Sequence, residues 1–135
     1  MPITNDCFLN WSSKRLSDSN LEEIDFRNIL SRAYYSAYHS TLELAEKSLS
    51  IPCSQLGGST HKKLSELLIA YKNDDAETQK TVRRLGARIS VLHSLRVRAD
   101  YFLDETVQQT DAESIVKNVT EVLHVVAAIS TASAA

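Results

Sequence analysis

The chain has 135 residues, of which 43% are hydrophobic and 24% charged, and a net charge of −2. This composition excludes a disordered chain and fits one compact domain spanning 1–135, with a core between about residues 6 and 130. Near-neutrality supplies no global attraction to nucleic acid.

Three Gly and two Pro leave little punctuation for many short strands, and the apolar spacing reads as helix throughout. A first helix is expected over Asp6 to Leu16. Asn20 is expected to cap the second, with Glu23 in capping-box spacing, and this helix should run to about Leu49. Ile51-Pro52 and Gly57-Gly58-Ser59 then stop it and form a loop. Thr60 opens a third helix through about Tyr71. Asn73-Asp74-Asp75 is a turn, and Asp74 with Glu77 repeats the capping spacing before a long helix to about Phe102. Thr110-Asp111-Ala112-Glu113 is a further capping box. It opens a last helix whose tail, Thr131 to Ala135, should fray. The fold class is all-α, an antiparallel bundle of four to five helices.

Cys7 and Cys53 are too few for a disulfide framework or a zinc site of known spacing, so a reduced, cytoplasmic chain is expected. No leader pattern opens the sequence. The apolar patch Val122 to Ile129, broken by His124, is too short to span a bilayer. His61 and His124 stand alone, so neither a metal nor another cofactor is expected.

On a helical wheel each residue advances by roughly 100°. Asp25, Asn28, Arg32, Tyr35, Ser36, His39, Glu43 and Glu46 of the second helix then share one stripe. Phe26, Leu30, Ala33, Tyr34, Ala37, Thr41, Leu44 and Ala45 share the opposite, core-facing arc. Arg32 and His39 are seven residues apart on one side of the helix, with Tyr35 and Ser36 between. A histidine can exchange a proton near neutral pH, and a neighbouring arginine can hold a phosphate with two parallel hydrogen bonds. That pair suits ribonuclease chemistry. A structural role for both, with Arg32 paired to Asp25 or Asn28 and His39 beside Glu43, accounts for the spacing as well. Tyr34, Tyr35 and Tyr38 read as packing aromatics with hydroxyls at the bundle edge.

From Thr78 to Ala99 the long helix carries six basic residues and no acidic one. Arg83, Arg84, Arg88 and Arg98 form a candidate nucleic-acid surface, against the alternative of a solvated or ion-paired face. Arg96 and Asp100 are four apart. Asp100 could orient Arg32 or His39 from the neighbouring helix, or clamp Arg96 structurally. His93 reads as a boundary residue. Ile115, Val119, Val122, Val126 and Ile129 recur at helical spacing on the last helix. That row, or the polar stripe of the second helix, is the expected subunit interface.

Ser31, Ala33, Tyr34, Tyr35 and His39, followed by Arg96, Ala99, Asp100 and Tyr101, resemble the compact single-domain branch of the HEPN superfamily in order and spacing. Phe8-Leu9-Asn10 and Leu103-Asp104 add to the likeness, which spans roughly Phe8 to Ala128. The resemblance implies a helical bundle that dimerises and acts in toxin–antitoxin pairs, phage defence or RNA cleavage, with a nucleotidyltransferase-type antitoxin as a partner. Its ribonuclease members use a metal-independent Arg-x(4–6)-His motif on a late helix, completed across a homodimer. Here Asp100 stands where such members place the His, and Arg32 to His39 meets the spacing on the earlier helix. The resemblance thus makes His39 the proton-transfer group and Arg32 the phosphate-stabilising one, supported by Tyr35, Arg96 and Asp100. A non-catalytic module binding nucleic acid or a protein partner is the alternative.

Overall fold

A computed structural model describes residues 2–53 and 60–134. The described residues form α1 (Cys7–Leu16), α2 (Glu23–Glu43), a π-helical segment (Leu44–Ser48), α3 (Thr60–Ile69), α4 (Ala76–Tyr101) and α5 (Gln109–Ala134), with no strand among them. The expected loop at Gly57-Gly58-Ser59 lies outside the described residues.

α3 starts at the expected Thr60, and the other helix starts differ from expectation by one to a few residues, for local reasons. Asn20 does not cap α2; it takes a left-handed turn with φ of 60°, a conformation asparagine tolerates. Glu22 is the cap, and its partner in the capping box is Asp25. Asp75, not Asp74, caps α4 by accepting from the Thr78 backbone N–H at 3.2 Å. At α5 the Asp111 carboxylate accepts from the Gln108 N–H at 2.8 Å, so the helix starts ahead of the expected Thr110 box. Its tail remains helical through Ala134.

α2 lies at the centre and packs against α1, α4 and α5, while α3 packs against α4. Leu30, Ala33, Tyr34, Ala37, Thr41, Leu44 and Ala45 of the expected core arc are all buried. The polar stripe is used in part inside the molecule, with Ser36 buried and Asn28, Arg32 and Glu43 left exposed. The Ser36 hydroxyl, fully buried, accepts from the Leu9 N–H and donates to the Asn5 carbonyl, both at 2.7 Å. Asp25 pairs with Arg15 at 2.7 Å, and Glu43 accepts from Asn5 at 2.6 Å. The N-terminal segment and α1 thereby engage Asp25, Ser36 and Glu43 of the stripe. Ile115, Val119, Val122, Val126 and Ile129 are likewise buried in the core of their own chain, so that row is not a free dimer face. By length and composition, residues 109–133 of α5 could cross a membrane. The helix is thus longer than the patch Val122 to Ile129 suggested.

Arg27 is the chief polar strut. It is 7% exposed. Its guanidinium donates to the carbonyls of Ala99 at 2.8 Å, Phe102 at 3.3 Å and Glu105, while Nε donates to Glu23 at 2.9 Å. The end of α4 and the turn after it are therefore fastened to α2 by one buried cation with partners for its donors.

Candidate functional site

Three of the expected site residues, Arg32, His39 and Arg96, meet on the ring of a fourth, Tyr35. Tyr35 projects from α2, half-buried. The Arg32 guanidinium carbon lies 4.7 Å from the Tyr35 ring centre, and that of Arg96 lies 5.3 Å from it. The His39 ring stacks on Tyr35 from one turn further along α2, with centres 6.1 Å apart, and stacks on Phe8 of α1 at 5.7 Å. Helical spacing places Arg32, Tyr35 and His39 on one side of α2, and the packing of α4 against α2 brings in Arg96.

Arg96 is held from two sides. Its Nη2 donates to the Tyr35 hydroxyl at 2.8 Å, and its Nε lies 2.8 Å from Asp100 Oδ2. The second contact is an ion pair rather than an aligned hydrogen bond. Ser31 donates to the same Asp100 oxygen at 3.1 Å. Asp100 therefore orients Arg96 and not Arg32 or His39, the clamp geometry foreseen as the alternative for it. Arg32 is exposed and has no carboxylate partner among the described residues.

Behind this face lies a histidine–tyrosine cluster that sequence reasoning missed. Tyr34 is fully buried, not at the bundle edge, and its hydroxyl meets His61 Nδ1 at 2.7 Å. His61 stacks on Tyr38 with centres 4.0 Å apart and on His93 at 5.1 Å, the latter pair tilted by 7°. Burial, then the nearby His93, Arg96 and His39, lower the His61 pKa to about 4. Burial and Arg96 lower that of His93 as well. Burial raises the Tyr34 phenol, so it keeps its proton and donates to a neutral His61. Neutral rings at these positions hold α3 to α2 and α4 without adding charge beside Arg96. The signal for His61 was its row with Leu64 and Leu68 on the buried side of α3.

The candidate nucleic-acid arginines are mostly engaged elsewhere. Arg83 donates to the Tyr71 carbonyl at 2.7 Å, Arg88 pairs with Glu121 at 3.0 Å, and Arg98 pairs with Glu105 at 3.2 Å. Arg84 is exposed with no partner among the described residues. Arg88 and His93 also satisfy an Arg-x(4)-His spacing on a late helix. Their side chains diverge, however, Arg88 toward α5 and His93 toward α3. Among the described residues no group of His, Cys, Asp or Glu is placed to hold a metal.

A family model described as HEPN domain matches residues 14–129, most of the chain. The chain belongs to the HEPN domain family. The five α-helices among the described residues agree with the all-α HEPN fold, and membership supports a nucleotide-related or ribonuclease-type superfamily role. No curated protein and no solved structure matches it.

Proposed function

We propose that this HEPN domain is a metal-independent endoribonuclease acting at the Tyr35-centred face. The supporting observation is the meeting of Arg32, Arg96 and His39 on the single Tyr35 ring. In this reading the 2′-hydroxyl of RNA attacks the adjacent phosphate, the P–O5′ bond breaks, and the departing 5′ oxygen takes up a proton. His39 moves the proton, and Arg32 stabilises the charge developing on the phosphate oxygens. Arg96, fixed by Asp100 and Tyr35, keeps the ring in place and adds positive potential. One imidazole cannot serve as both base and acid in a single step. A homodimer placing a second His39 opposite the first completes the chemistry. The likeness that suggests this also suggests a toxin or defence role with a nucleotidyltransferase-type antitoxin.

The test is cleavage of a structured RNA in EDTA. Wild type should cut, leaving 2′,3′-cyclic phosphate ends. His39→Ala and Arg32→Ala should each lose on the order of a hundredfold or more. Cleavage that survives both substitutions removes this face from the reaction. One observation favours a second reading. Asp100, a carboxylate rather than an imidazole beside Arg96, is already committed to Arg96 and Ser31. A domain that binds RNA without cutting it would retain affinity in the same assay and release no cyclic ends.

A further inference from the structure

We propose that Tyr101 is a stacking platform for an unpaired base of single-stranded RNA, with Arg32 holding a nearby phosphate. This rests on the RNA reading above and extends it to a substrate class.

Tyr101 is 66% exposed at the end of α4, and Phe102 and Leu103 after it are 49% and 76% exposed. Three consecutive large apolar side chains left in water mark a surface that something covers. The segment that carries them is fixed, because Arg27 holds the carbonyls of Ala99, Phe102 and Glu105. A ring presented on a fixed backbone loses little freedom when a ligand stacks on it.

The neighbours identify the ligand. The Arg96 guanidinium carbon lies 5.9 Å from the Tyr101 ring centre and 5.3 Å from that of Tyr35, and Arg32 lies 4.7 Å from Tyr35. Guanidinium and ring therefore alternate in the order Arg32, Tyr35, Arg96, Tyr101. Both ends of the series are exposed, and the inner pair is half-buried. Asp100 neutralises Arg96, which leaves Arg32 as the cation facing solvent. Exposed Asp104 follows closely in the chain after Tyr101 and disfavours a phosphate at that end. The polarity is thus base on Tyr101 and phosphate on Arg32. Alternating rings and guanidinium groups are how single-strand grooves bind without reading sequence. A duplex hides the faces of its bases and cannot use the platform. An apolar protein partner would engage Phe102 and Leu103 but leave the solvent-facing Arg32 without a role.

The test is fluorescence anisotropy with a labelled 2′-O-methyl oligoadenylate about ten nucleotides long. Its blocked 2′ oxygen removes the nucleophile and keeps the probe intact. Wild type should bind the single strand in a salt-dependent way. Tyr101→Ala should weaken binding about 5- to 100-fold, and Tyr101→Phe should stay within about twofold. Annealing the probe to its complement should abolish the dependence on Tyr101, and Arg32→Gln should reduce the salt slope. Wild-type affinity in Tyr101→Ala overturns the platform and leaves the RNA reading standing. So does a Tyr101→Ala protein that binds RNA normally but loses self-association by light scattering, which assigns the patch to a protein interface. Failure of the wild type to bind either strand form, together with no cleavage in EDTA, overturns the RNA reading itself.

Discussion

His61 sits in an environment far from that of a solvated imidazole. Its ring is stacked between Tyr38 and His93 and bonded to Tyr34, and its pKa falls to about 4 from an ordinary 6.5. Between those two values the unfolded chain holds the proton and the folded chain does not. Stability is therefore complete above pH 6.5 and declines as the pH drops toward 4. His93, lowered for the same leading reason, adds in the same direction. The contribution of each ring should stay below the ~1.4 kcal/mol per pH unit of one fully shielded proton, because solvent reaches the rings. Urea midpoints between pH 7 and pH 4.5 check this. The wild-type midpoint should fall, and His61→Gln should flatten the curve. An equal slope in the two proteins would contradict the assignment. At this scale the sequence was only partly legible. Arg32, Tyr35 and His39 could be placed together because their spacing on one helix fixes their side. His61 and His93 lie on α3 and α4, more than thirty residues apart, and no local pattern encodes their stacking. Arg27 was hidden for a similar reason, since three of its acceptors are backbone carbonyls that carry no sequence signature.

Among the elements, the contact of α3 with α4 depends on one glycine. A Cβ at Gly86 would lie 2.7 Å from Leu68 Cβ and 2.8 Å from the Ile69 backbone nitrogen. Neither atom can turn away by changing rotamer. Gly86→Ala gains about 1 kcal/mol of helix propensity but forces the two backbones apart. A net loss of roughly 1–3 kcal/mol is expected, read as a lower urea midpoint. A Gly86→Ala protein more stable than wild type would show that α3 does not approach this closely. Helix order and extent were readable from apolar spacing, but the caps were not. In Asn73-Asp74-Asp75 all three residues are competent caps. The choice is settled by Asn73 accepting from the Asp75 N–H at 2.8 Å, which leaves the Asp75 carboxylate to receive Thr78. The continuation of α2 into a π-helical segment from Leu44 to Ser48 has no signal in residue type.

For the molecule as a whole, burial of the α5 row in its own core leaves the exposed part of the α2 stripe, around Arg32, as the outward one of the two surfaces expected for self-association. The spacing of Ile115, Val119, Val122, Val126 and Ile129 shows a buried face equally well whether the burying surface is internal or external, and here it is internal. What remains outward on the functional side is the series from Arg32 to Tyr101, with the turn at Phe102 and Leu103 beside it. Any second copy that completes the chemistry has to approach there. That face is the centre of the functional reading, and histidine-selective NMR tests it without requiring turnover. Titrating the wild type with a 2′-O-methyl dinucleotide should move the imidazole signals of His39 while leaving those of His124, exposed on α5, in place. A titration that leaves His39 unmoved as His124 shifts, or moves neither at saturating dinucleotide, would contradict it.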